Sequence, residues 1–131
     1  MSRVVLSPNI SRCKPLLFFS DSTENGILST YNIEKNKIVK KVMAHNTAIL
    51  KIACDLEGYI VATNSAHGDV IRLWTSETGM KLATFRQQRN TELSALSIGQ
   101  SGIVTTFSVN GHFQTYTMPL EAREHIHSSS Q

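Results

Sequence analysis

Short runs of β-branched and aromatic residues alternate along this chain with clusters of Gly, Asn, Asp and Ser, and helical periodicity is scarce. The pattern predicts an all-β fold. Its clearest stretch predicts strands at Ala48–Cys54, Tyr59–Asn64, Val70–Trp74 and Lys81–Phe85. Turns are predicted between them at Asp55–Gly58, Ala66–Asp69 and Ser76–Gly79.

The pattern repeats. When Ile27–Val42 is set under Val70–Phe85, Tyr31 falls under Trp74, Glu34 under Glu77, Val39 under Leu82 and Val42 under Phe85, an offset of 43 residues. A third copy, His112–Met118, puts Tyr116 under Trp74 at an offset of 42. A period of about 40–45 residues with four short strands is the mark of a propeller blade. Ala44-His45 stands where a WD repeat often has Gly-His, and Leu73-Trp74 where it has its Trp-Asp dipeptide. The expectation is an incomplete WD-repeat β-propeller of two to three blades of antiparallel four-stranded sheet. It divides into a partial blade (14–43), a complete blade (44–86), a partial blade (87–118) and a polar tail (119–131). The first copy lacks a convincing innermost strand and the third its outermost. Propellers close with about 4–8 blades, so the reading expects either further blades from a longer protein or self-association.

The 131 residues suit one domain, and the formal charge of +3 tilts only weakly toward anionic partners. Cys13 and Cys54 are far apart and read as free thiols of a reducing, cytoplasmic compartment. No signal peptide or membrane-length apolar run is evident, so the sequon Asn9-Ile10-Ser11 reads as chance. His125 and His127 lack the further ligands zinc needs, which leaves no metal or cofactor expected. Neither a Gly-x-Ser-x-Gly context nor a paired-carboxylate motif is present, and the reading is not an enzyme. The run Lys35–Lys41 fits the solvent face of an outer strand, where lysines discourage edge pairing, and not a nucleic-acid site.

One stretch is more specific than a generic blade. Ala62-Thr63-Asn64-Ser65, then Gly68-Asp69-Val70-Ile71-Arg72, then Thr78-Gly79 and Phe85-Arg86 at their observed distances resemble the fifth blade of PROPPINs. These are seven-bladed, WIPI-type propellers that bind phosphatidylinositol 3-phosphate on autophagic and endosomal membranes. The resemblance runs weakly from about Leu16 to Met118 and covers roughly blades four to six. It implies peripheral attachment to those membranes and partnership with autophagy proteins. It also implies two head-group sites, one on each side of an arginine pair.

Matching residue by residue, Thr63, Ser65, Gly68, Arg72 and Arg86 occupy the first site's positions, with Asp69 where the family commonly has threonine. At the second, Ser108 matches. Gln87 and Gln88 replace arginine and glycine, His112 and Gln114 replace threonine and histidine, and Arg89, three residues after Arg86, is a possible substitute. A guanidinium offers phosphate paired, charged donors that a glutamine amide lacks, so the second site reads as degraded. The family's membrane-inserting loop would fall in Pro119–Gln131, which offers only Leu120 and Ile126 as sizeable apolar side chains. Without the family, Arg72 and Arg86 read as solvated rim charges or partners of Asp69 or Glu92. The alternative function is a truncated or degenerate WD-repeat fragment that serves only as an interaction scaffold.

Overall fold

A computed structural model describes residues 3–6, 15–20, 25–55, 58–65, 69–88, 91–99 and 101–129, with the backbone alone at 3–6 and 125–129. Three antiparallel sheets account for most of it. The first runs β1 (Arg3–Leu6), β2 (Leu16–Ser20), β3 (Ile27–Asn32) and β4 (Lys37–Met43). The second contains β5 (Ile49–Cys54), β6 (Ile60–Ser65), β7 (Val70–Thr75) and β8 (Lys81–Arg86). In the third, β9 (Leu93–Ile98), β10 (Ile103–Ser108) and β11 (Phe113–Thr117) precede helix α1 (Leu120–Ser129). Strand β5 touches both β1 and β9. The first strands of the three sheets therefore lie together on the inner side, the arrangement of successive propeller blades.

The middle sheet separates two cores. Cross-strand partners share a face, and the register Val61↔Trp74, Thr63↔Arg72 and Val70↔Arg86 places those six residues on the face toward the first sheet. There Ile49, Ile52, Cys54, Val61 and Trp74 pack with Leu16, Phe18 and Leu28. On the other face, Ile60, Ala62, Ile71 and Leu73 pack with Leu93, Val104, Met118 and Ala122. Every residue of β6 is buried, because it is central in its sheet and covered on both sides.

The aromatics of the 43-residue period, Tyr31, Trp74 and Tyr116, all fall on the third strand of their sheets. Two expectations change. The first copy has its inner strand: Arg3–Leu6 pairs with β2 from Arg3↔Ser20 to Leu6↔Leu17. Four residues are too short a run to show alternation, so the strand escapes a periodicity reading. The polar tail is helical from Leu120 to Ser129, with Pro119 O accepting from Ala122 N and Arg123 N and with Ala122 fully buried. A ten-residue helix whose sequence, LEAREHIHSS, holds only Leu120, Ala122 and Ile126 as apolar residues leaves almost no apolar stripe to detect. The lysines behave as expected: β4 is the outer edge strand, with Lys37, Lys40 and Lys41 exposed.

Gly26 fixes how the first sheet hands the chain to the second. Its carbonyl accepts hydrogen bonds from Ala44 N (2.8 Å) and His45 N (3.1 Å), and its φ is +78°. A Cβ there would lie 1.8 Å from the carbonyl oxygen of His45, which no rotamer change can relieve. Left-handed strain and displaced backbone together should make Gly26→Ala destabilising by about 2–4 kcal/mol. Urea unfolding of the variant beside the parent chain measures it.

Candidate functional site

A cleft of about 260 Å³ opens between the connector after β4 and the second sheet, lined by His45, Asn46, Thr47, Ser65, Asp69, Val70 and Arg72. Its floor is a buried polar junction. The Trp74 indole Nε1–H donates to Thr63 Oγ1 at 2.9 Å, and the same oxygen lies 2.8 Å from His45 Nε2. Burial, aided by the positive charge of Arg72, lowers the His45 pKa from 6.5 to about 4, so the ring is neutral at physiological pH. With the imidazole neutral and the indole donating, the Thr63 hydroxyl can pass its own proton toward Nε2.

Arg72 reaches the cleft from β7 and is anchored within it. Its Nη1 donates to the Ala44 carbonyl at 2.6 Å, while its buried Nε has no hydrogen-bond partner among the described residues. Arg86, at the end of β8, lies opposite Val70, so both arginines are on the same face of the sheet. It is exposed and is not among the residues lining the cleft. The two strands close on each other through Gln87 N donating to Asp69 O at 2.7 Å.

A second cleft, about 140 Å³, lies between the second and third sheets. Its walls are Gln87, Gln88, Thr91, Thr106, Ser108, Asn110, His112, Gln114 and Tyr116. Ser108 is buried, and its Oγ accepts from His112 N at 3.0 Å and donates to Asn110 Oδ1.

The residues singled out from sequence thus separate. Ser65 and Arg72 meet in the first cleft, Ser108 belongs to the second, and Arg86 shares the first cleft's face of the sheet without lining it. Thr63 is fully buried beneath the first cleft, with its oxygen engaged by His45 and Trp74. Gly68 lies outside the described residues, as do Arg89, Cys13 and the Asn9 sequon. Sequence reasoning missed Asn46 and Thr47, whose signal was their place directly after the Ala44-His45 dipeptide. It also missed Thr91, Thr106, Asn110 and Tyr116, which the pairing of strands within the third sheet brings together.

No family model matches the chain. Among curated proteins it is similar to autophagy-related protein 18 of Komagataella pastoris, 30% identical over 82 residues, covering 62% of this chain and 15% of that protein. Autophagy-related protein 18 of Saccharomyces cerevisiae is 32% identical over 68 residues, covering 52% and 14%. Among solved structures, Kluyveromyces lactis Hsv2 superposes with a TM-score of 0.74 at 18% identity, covering 86% of this chain and 38% of that one. Over part of its length the chain is homologous to these autophagy-related 18 proteins, and its sheets match part of the Hsv2 propeller fold. Its sequence matches span about one seventh of the curated relatives' length.

The polar junction gives the chain an acid sensitivity. Unfolded His45 takes up a proton near pH 6.5, the folded ring only near 4. The stability it contributes is complete above 6.5 and is lost as pH falls toward 4. Denaturant midpoints measured from pH 7.5 to 4.5 should fall steeply for the parent chain and less for His45→Gln.

Proposed function

We propose that this chain recognises phosphatidylinositol 3-phosphate through its first cleft, as part of a PROPPIN-type propeller that brings autophagy proteins to a membrane. The observation that carries the reading is Arg72, an arginine held in an open cleft beside Ser65, with Arg86 on the same face of the sheet opposite Val70. In this reading Arg72 and Arg86 hold the phosphate through charge-assisted hydrogen bonds and Ser65 contributes a hydroxyl. Thr63 acts from below as a positioning residue: with Trp74 it holds His45, next to the Ala44 carbonyl that anchors Arg72. The chain then works from the cytoplasm, peripherally on autophagic or endosomal membranes, and has no catalytic role. Ser108 falls in the second cleft and takes no part in holding this phosphate.

One observation favours a plain interaction scaffold instead. Asp69 lines the first cleft beside Arg72, and a carboxylate there opposes an anionic head group.

Vesicle flotation separates the two. The folded chain should float with phosphatidylcholine vesicles containing phosphatidylinositol 3-phosphate and stay in solution with phosphatidylcholine alone. Each charge-assisted bond is worth roughly 1.5–3 kcal/mol, so Arg72→Ala and Arg86→Ala should each weaken binding about tenfold or more. Arg86 is exposed, so its variant tests binding with the fold intact. Equal recovery in solution with both vesicles would leave the scaffold reading. If the lipid reading holds, Asp69→Thr should tighten binding several-fold in the same assay, by removing the opposing charge and supplying a hydroxyl.

A further inference from the structure

Strand β4 ends the first sheet and pairs with β3 alone among the described strands. Such an edge is a template onto which another extended chain can add through its main chain. All of its side chains are exposed except Val42, which is half-buried. The charge along it has one sign. Strands β4 (KIVKKVM) and β8 (KLATFR), the outer strands of neighbouring sheets, carry four lysines, one arginine and no carboxylate. Glu34 and Glu77, the described acids nearest to them in sequence, stand in the turns that precede the two strands.

The register brings three of these lysines to one groove. Cross-strand partners share a face, so Asn32↔Lys37, Thr30↔Lys40 and Leu28↔Val42 put Lys37 and Lys40 on the side toward the second sheet, where Leu28 and Val42 meet the core. Lys40 lies against the turn between β7 and β8: a Cβ at Gly79 would fall 2.9 Å from Lys40 Cε and 2.6 Å from Val42 Cγ2. Lys81, two residues beyond Gly79, pairs with Trp74 and so faces back toward the first sheet. Arg86 stands at the far end of β8, roughly 17 Å away, and is not part of this group. A bulge in β4 at Val39 sets the spacing. Lys37 and Lys40 are opposed by Asn32 and Thr30, which are two positions apart on β3. An added strand in the same register meets both ammonium groups with alternate side chains.

We propose that β4 takes an extended acidic peptide as a fifth strand of the first sheet. Alternate carboxylates of the peptide meet Lys37, Lys40 and Lys81, and its intervening apolar side chains cover Ile38 and Met43, which are exposed on the opposite face. The lysines make the edge selective: they repel a second copy of β4 and attract a strand of opposite charge. A peptide fits better than a nucleic acid, because an ammonium lacks the planar fork that suits phosphate and only a peptide can extend the main-chain ladder. The proposal stands apart from lipid binding at the first cleft.

The test is fluorescence anisotropy of a labelled peptide, Glu-Val-Glu-Val-Glu-Val-Glu, titrated with the whole chain in the absence of lipid. Saturable binding is expected, falling several-fold in high salt. Lys37→Gln and Lys81→Glu, both at exposed positions, should each weaken it several-fold. The double variant Lys37→Glu with Lys40→Glu should weaken it at least tenfold, and should bind the same peptide with lysine in place of glutamate, which also shows that the variant is folded. N-methylation of alternate peptide nitrogens keeps the charge but blocks the ladder, and should abolish binding. No saturable binding, binding indifferent to N-methylation, or displacement of the peptide by a short poly-uridine RNA at lower concentration would overturn the proposal.

Discussion

The oxygen of Thr63 is the point on which the middle sheet and its clefts depend. It is fully buried, and it joins the connector before β5, through His45, to the third strand of the sheet, through Trp74. Buried imidazole and indole nitrogens without a partner each carry a desolvation cost of about 1–3 kcal/mol. One hydroxyl answers both, and the two rings lock each other's positions. The same connector presents the Ala44 carbonyl to Arg72. A cation that would otherwise sweep a solvated arc is thereby held at a defined place in the wall.

From this junction the two faces of the sheet take different characters. Toward the first sheet the polar junction and Arg72 interrupt an aliphatic core, which leaves a charged cleft at its margin. Toward the third sheet the core is aliphatic and aromatic up to the edge, and the described walls of the cleft beyond it carry no carboxylate, lysine or arginine. The division follows from strand alternation: Thr63, Arg72 and Arg86 share one parity of the pleat, while Ile71, Leu73 and Phe85 share the other.

Much of this was legible in the residues. The 43-residue spacing of Tyr31 and Trp74 located the sheets, and the strands of the middle blade end within a residue of their expected limits. Arg3–Leu6 was not legible, because its partner Leu17–Ser20 is set by tertiary pairing and not by a local signal. Helix α1 was hidden by its own polarity. At the clefts, the motif indicated the neighbourhood of Ser65, Arg72 and Ser108 but not the depth of each side chain. Thr63 and Ser65 are two positions apart on one strand, yet one is consumed by the core and the other reaches the cleft. That difference belongs to the stacking of sheets, which a one-dimensional pattern does not carry. Asn110 and Tyr116 meet for a different reason, the folding of one hairpin of the third sheet.

Trp74 is the sole tryptophan of the chain, and its indole nitrogen is tied to the oxygen that faces His45. Its ultraviolet emission is therefore an internal lamp placed one side chain away from the floor of the first cleft. Protonation of the imidazole or a pull on the neighbouring guanidinium would change that lamp's colour or brightness without any attached dye.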